Sequence, residues 1–413
     1  METLPFELLH DIVSRLDDCT SLYNLLRASP AISRVFDHDG LQLTRAIFSK
    51  DNKCDQIRES ISLVAMLDSS SFAYPSLDAF ITGFIHVTVK DIRPQRPGGP
   101  RPTSAPLPHD LPDNTPIPTI RRVLSICAQI AYLTVVCLEH YLEKFNALRP
   151  DNMVDPEARY SRDLKRIPPW TQRFKSFKAP VNNYGPPVWE EEERVSRALW
   201  RIQLFYDLRT AAGQSRLSWP AEDLARLQSM KEQDLFVKWS IDYEAEEIQT
   251  VTEYLDHARA TNLVVSHDAS GSSSGGCSRG PPRLPFLRQP VERRWPTPRR
   301  PDPEPVTQSY KIDLGTFGLR QWQLLSETSF SPLRTVKFDS YRRLGVALWC
   351  QKRIQAIGLS PLNRKGPKPS INLSLWQFAW RSILDPREVG EVEKKLQNEW
   401  EVRESATIRT VSI

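Results

Sequence analysis

The chain lacks any recognisable apparatus for bond chemistry. No Gly-x-Gly-x-x-Gly loop, Walker lysine loop, His-Glu-x-x-His helix or nucleophile elbow occurs in its 413 residues, so the common nucleotide, zinc-hydrolase and serine-hydrolase chemistries have no seat and no enzyme or cofactor is expected. Cysteine is sparse. The six residues Cys19, Cys54, Cys127, Cys137, Cys277 and Cys350 follow no framework spacing, which argues against a disulfide-stapled secreted domain. No basic region followed by an apolar run opens the sequence, and the expectation is an intracellular protein of the cytoplasm and/or nucleus. The most apolar run, residues 123–138, falls short of about 18 residues. It contains Ser125, Gln129 and Thr134, and is read as a buried helix rather than a membrane span. Neither charge dominates: 55 Lys and Arg against 50 Asp and Glu leave +5, too mild to identify a nucleic-acid or membrane partner. No repeat of regular period is visible, which excludes leucine-rich, tryptophan-aspartate and kelch architectures. Cys137 and His140 lie three apart on one side of a predicted helix with Cys127 about three turns earlier, but two ligands do not make a zinc site and no metal is expected.

What is present is apolar residues and proline. A hydrophobic content of 40% supports a core, while 34 prolines occur in clusters, so order should be interrupted rather than uniformly weak. The expected fold is all-α. It divides into a three-helix module over 1–50, a helical extension over 51–90, a Pro-rich disordered insertion over 91–118, a helical domain over 119–265, a Gly/Ser/Pro/Arg-rich disordered linker over 266–309, and a C-terminal helical part over 310–413.

The opening module carries the most information. Thr3 is a candidate cap, Pro5 sits where a missing backbone N–H does no harm, and Glu7 suits the helix dipole. Leu8, Leu9, Ile12, Val13 and Leu16 recur at three- and four-residue spacings and form one apolar stripe. Asp17 and Asp18 break the pattern, and Thr20 or Ser21 restarts a helix with Leu22, Leu25 and Leu26 inward. Ser29-Pro30 is a cap followed by a first-turn proline, opening a third helix with Ile32, Val35 and Phe36. Further helices are expected from residue 40 to 50 and from 54 to 67, the latter with Ile57, Ile61, Val64 and Leu67 on one face. A module this short leaves an apolar face that other helices of the chain, or a partner, must cover.

Farther along, a helix over 77–89 and a long buried helix over 120–148 are predicted. A helix over 189–212 follows, with Leu199, Ile202, Phe205, Tyr206 and Arg209 at helical spacing. Glu190 to Glu193 at its start are expected to form a solvated first turn. Residues 339–357 read as one helix with Leu344, Leu348 and Ile354 inward, residues 373–384 and 388–400 as two more, and 310–338 is ambiguous. Arg279 to Arg300 with Trp295 embedded reads as a solvated regulatory tether, because Glu292, Asp302 and Glu304 dilute its field and a single aromatic is available for stacking; nucleic-acid binding is not expected. Trp200, Trp239, Trp349, Trp376 and Trp380 are read mostly as core, with Trp376 and Trp380 four apart on one helical face.

Leu4-Pro5-x-Glu7, the Ile12 and Leu16 spacing and Leu25-Leu26-Arg27-Ala28-Ser29-Pro30 resemble the F-box in the form found in filamentous-fungal F-box-like proteins. Residues 197–206 and 243–255 also look like segments of that family. Where many F-boxes carry a Cys and a Trp, this chain has Ala28-Ser29-Pro30 and Val35-Phe36. The resemblance implies a non-catalytic substrate receptor of a cullin-RING ubiquitin ligase that brings a protein target for ubiquitination. Leu4, Pro5, Leu8, Ile12, Leu22 and Leu26 would present an apolar surface to the Skp adaptor, and Val35 and Phe36 would close the third helix. The alternative is a helical scaffold or regulatory interaction protein whose F-box-like helices only cap its own core.

Overall fold

Capping chemistry places the first helices. In the computed structural model, which describes residues 4–50, 53–85, 110–153, 176–178, 182–236, 243–265, 284–287, 293–298, 317–327, 331–360 and 373–411, α1 (Phe6–Ser14) starts directly after Pro5. Helix α2 (Cys19–Ala28) is capped by Asp18, whose carboxylate accepts the Ser21 N–H at 2.8 Å. The restart therefore lies a residue or two before Thr20 and Ser21, where a carboxylate reaches the orphan donors. Helix α3 (Pro30–Lys50) opens behind Ser29, whose hydroxyl accepts the Ile32 N–H at 3.3 Å. The two successive helices expected here are present and meet at a kink at Asp39, with φ −122° and ψ 21°.

The architecture is all-α, in two compact units: Met1–Leu138 with Trp189–Leu314, and Glu139–Val188 with Gly315–Ile413. In the first unit, α4 (Asp55–Asp68) buries Ile57, Ile61, Val64 and Leu67 as the periodicity predicts. Helix α5 (Leu77–Phe80) runs into a π-helical turn, Ile81–Ile85; the rest of the helix expected to residue 89 lies outside the described residues. Helix α6 (Ile117–Asn146) follows, then α7 (Trp189–Gly213), α8 (Ala221–Ser229), α9 (Glu232–Leu235) and α10 (Tyr243–Ala260). Helix α7 packs against α4 and α10 and is buried on every side from residue 193 to 208, so it serves as a central helix of this unit alongside α6. Val264–Val265 (β3 in chain order) pairs antiparallel with Phe286–Leu287 (β4).

The 91–118 insertion is ordered at its end. Leu111 and Thr115 are buried, and the Arg45 guanidinium donates to the Leu111 carbonyl at 2.5 Å and to Asp113 at 2.6 Å. A core leucine and a bidentate arginine outweigh the local proline content there. Helix α6 is long and apolar enough to cross a membrane by length and composition, and 61% of its most apolar stretch is buried within the chain, the condition of a core helix.

In the second unit, α11 (Phe317–Ser326), α12 (Asp339–Arg342), α13 (Gln351–Ala356), α14 (Leu373–Ser382) and α15 (Pro386–Val411) surround Tyr341, Trp349 and Trp380. A short ladder joins Asp151–Met153 (β1) to Ser176–Lys178 (β2). The single helix expected over 339–357 is broken into α12 and α13. Gly345 takes φ +70°, and a Cβ there would lie 2.7 Å from the Tyr141 Cβ, so the chain turns where no other residue fits. Of the five tryptophans read as mostly core, Trp200, Trp349 and Trp380 are fully buried and Trp376 is half-buried; Trp239 lies outside the described residues.

Candidate functional site

Helix α1 turns one side inward and one side outward. Leu9 and Val13 are buried against α3, while Leu4 is 38%, Phe6 42% and Leu8 52% exposed. Glu7 and Pro5 flank them at the surface, and Ile12 is half-buried. The stripe is polarised because Leu8 and Leu9, adjacent in sequence, point about 100° apart around the helix. One serves the core and the other is left outside.

Polar contacts hold this helix in place. At its C-terminal end the Ser14 carbonyl accepts the Lys50 ammonium at 2.6 Å, and Arg15 pairs with Asp11 at 2.9 Å. At the other end the Phe6 ring stacks on His10, centroids 6.3 Å apart, and meets His38 edge-on at 5.7 Å. Both imidazoles meet Asp39 at the bend of α3, at 3.8 Å from His10 and 2.9 Å from His38. Phe6 is thus exposed too, on the side of α1 that carries His10 rather than on that of Leu8 and Ile12. Its place directly after Pro5 put it outside the stripe defined by Leu8, Leu9, Ile12, Val13 and Leu16.

The eight residues assigned to a partner surface are divided by the fold. Leu4, Pro5 and Leu8 are exposed and Ile12 borders them, whereas Leu22, Leu26, Val35 and Phe36 are buried within the chain. The last four are occupied by intramolecular packing: α2 lies on α3, and the Arg121 guanidinium of α6 sits 5.2 Å over the Phe36 ring. Arg121 also donates to the Ser33 hydroxyl at 2.8 Å and to Asp37 at 2.7 Å, and Asn24 donates to the Tyr132 hydroxyl at 3.2 Å. Leu22 and Leu26 therefore do not join the outward face. Helix α6 covers one side of the module, and the outer side of α1 stays open.

A second assembly lies between α7 and α10, the two segments singled out by the weaker family likeness. Arg197 forks onto Glu247 at 2.5 and 2.7 Å, Gln56 accepts from Arg197 at 3.1 Å, and Arg201 pairs with Glu244 at 3.0 Å. Arg197 and Glu247 are both buried. Glu193 of α7 accepts the Cys54 N–H at 3.0 Å and so caps α4 from across the unit. Burial pushes the Glu193 carboxyl up, and burial with the neighbouring Glu193 charge pushes the Cys54 thiol up to about 12. Burial likewise raises Asp207 despite its 2.5 Å contact with Arg122. Opposite charges are matched across helices, an arrangement that fixes α7 against its neighbours rather than setting an acid and a base around a substrate.

The glutamates at the start of α7 are not a solvated turn. Glu191 and Glu193 are buried, and one Glu192 oxygen accepts both Arg293 Nη1 at 2.6 Å and Trp295 Nε1 at 2.7 Å. A helix N-terminus favours carboxylates whether or not water covers it, which is why sequence alone misplaced them. By the same contact, residues 293–298 of the expected disordered linker are docked, with Trp295 buried; residues 284–287 are held as well, because the Gln129 amide donates to the Leu284 and Pro285 carbonyls at 2.8 and 2.9 Å. Cys127 and Cys137 are buried in α6, and among the described residues no group of three or more His, Cys, Asp or Glu is placed to hold a metal ion.

No protein-family model, curated protein or solved structure matches the chain.

Proposed function

We propose that the protein is a non-catalytic F-box-type substrate receptor, whose helix α1 docks on the Skp adaptor of a cullin-RING ubiquitin ligase while the helical remainder holds a protein target for ubiquitination. The observation that carries this reading is the exposure of Leu4, Phe6 and Leu8 around the N-terminal end of α1, with exposed Pro5 between and half-buried Ile12 one turn beyond Leu8, while Leu22, Leu26, Val35 and Phe36 are packed against their own chain. Each of these side chains is about half covered already, so covering the rest of one is worth about 1 kcal/mol. A stable complex therefore requires further contacts around them to meet the cost of association. Such a receptor works by proximity and needs no catalytic group of its own. The reading places the protein in the cytoplasm and/or nucleus, where that ligase acts.

The test is copurification of the recombinant chain with the Skp adaptor. The double variant Leu4→Asp with Leu8→Asp, both at exposed positions, is expected to lose the adaptor while keeping the wild-type circular dichroism spectrum and melting temperature. Adaptor retained by the folded double variant overturns the assignment. The second reading, a helical scaffold without a ligase role, is favoured by the burial of Leu22, Leu26, Val35 and Phe36 inside the chain. It is the one to adopt if the wild-type chain binds no adaptor.

A further inference from the structure

We propose that Thr297 is a phosphorylation site for a proline-directed protein kinase, and that the phosphate releases the Arg293–Trp295 clip from Glu192. The idea stands apart from adaptor docking, because it concerns the opposite end of the sequence within the same unit and a different surface.

Two donors of the clip converge on one acceptor. One carboxylate oxygen of Glu192 takes both the Arg293 guanidinium and the Trp295 indole N–H, and the Arg293 guanidinium lies 5.9 Å from the Trp295 ring centroid. Directly after the buried Trp295, Pro296 and Thr297 are exposed and belong to no helix or strand. Thr297 stands between two prolines. Pro298 disfavours helical dihedrals at the residue before it, and neither proline has an N–H to commit to secondary structure. The hydroxyl is thus exposed outside any helix or strand, with proline next and Arg299 and Arg300 following in sequence. An exposed hydroxyl outside regular structure, a following proline and a downstream cation together are the recognition chemistry of a proline-directed kinase.

The reaction is phosphoryl transfer from a nucleoside triphosphate held by that kinase. Thr297 Oγ1 forms a bond to the γ-phosphorus, the bond from that phosphorus to the bridging oxygen breaks, the nucleoside diphosphate leaves, and the hydroxyl proton passes to the kinase's carboxylate base. The product carries a charge of about −1.5 to −2. Thr297 is two residues from Trp295, so the new charge arises within about 7 Å of chain from the clip. It acts there in two ways. It repels the Glu192 carboxylate and its neighbours Glu190, Glu191 and Glu193, and it offers Arg293 a stronger acceptor than Glu192. Both effects oppose the contact that buries Trp295.

The test treats the full chain with a proline-directed kinase and magnesium ATP, locates phosphate by mass spectrometry, and follows trypsin cleavage of the Arg294–Trp295 bond under native conditions. Phosphate on Thr297 and cleavage several-fold faster than in untreated chain are expected. Thr297→Ala should show no kinase-dependent change, and unphosphorylated Glu192→Ala should be cleaved as fast as the phosphorylated wild type. Absence of phosphate at Thr297 overturns the proposal, as does phosphate there with cleavage unchanged, or a Glu192→Ala chain that is cleaved no faster than wild type.

Discussion

Glu193 is a buried carboxylate that does a backbone's work. It supplies the acceptor for the Cys54 N–H at the start of α4, and burial holds its folded-state titration above the ordinary value of 4.5. A carboxyl raised on folding favours the protonated folded form. Its contribution is fully present below the unfolded value and is lost as pH rises through the folded value. Above the unfolded value the folded chain must either hold a desolvated charge there or take up a proton, a cost that a neutral isostere avoids. Glu193→Gln keeps an oxygen for Cys54 and is expected to raise the melting temperature at pH 7 by about 2 °C or more. Scanning calorimetry should find that difference shrinking toward zero as pH falls below 4.5. A variant melting below wild type at pH 7 would mean that the charge itself, rather than the acceptor, is what α4 requires. The same residue marks a limit of the sequence. Four successive glutamates at a helix start are legible as dipole chemistry, but nothing local reveals that Cys54 and the Arg293–Trp295 segment come to cover them.

Among elements, α7 and α10 are joined by the Arg197–Glu247 pair, buried at both ends. Removing one partner leaves the other charge stranded, at a cost of about 3–5 kcal/mol, whereas replacing both with apolar residues of similar volume is often close to neutral. Chemical denaturation should show Arg197→Met strongly destabilised and Arg197→Met with Glu247→Leu recovering much of the loss. No recovery would indicate that the wider set, with Gln56, Arg201 and Arg194, whose Nε lies 4.0 Å from Glu247, has to be satisfied as a whole. The elements themselves were largely readable. Caps and periodicity located α1 to α4 to within a residue or two, because proline, serine and aspartate act through their nearest backbone neighbours. Reading failed where a distant residue decides: residues 339–357 carry a helical apolar pattern, yet Tyr141 leaves room only for a glycine turn at 345. It failed also at the docked pieces of the 266–309 linker, where composition averages over a stretch in which Leu284, Arg293 and Trp295 each have a fixed partner. In the candidate surface, Leu4, Pro5 and Leu8 were legible. The division of their neighbours into inner and outer was not, since an apolar stripe has the same spelling whether it meets its own chain or another.

At the scale of the whole molecule, the described thiols form a uniform population. Cys19, Cys54, Cys127, Cys137 and Cys350 are all outside disulfides and all buried, and burial pushes the Cys54 and Cys137 thiols up. Nucleophilic attack needs an accessible thiolate. A maleimide added to the native chain at neutral pH should leave these five unlabelled through an hour in which denatured chain reacts fully, as read by peptide mass mapping. Rapid labelling of any of them would show that its helix opens on that timescale. Cys127 and Cys137 owe this shelter to the central helix α6, on which they are buried.

The bend of α3 has a consequence for modularity. At Gly40, just beyond the bend, a Cβ would lie 2.9 Å from the Phe36 ring and 3.0 Å from Ile117. At this point the N-terminal helices meet α6 so closely that a methyl group would force the Phe36 ring or the end of the Ile117 side chain to shift. Small recognition modules are commonly thought of as cassettes that can be moved from one protein to another. This one is grafted: cut away from residues 117–138, it would lose the surface into which Phe36 and Gly40 fit. Opening helices with a larger residue at position 40 would need a reshaped Ile117 end of the central helix.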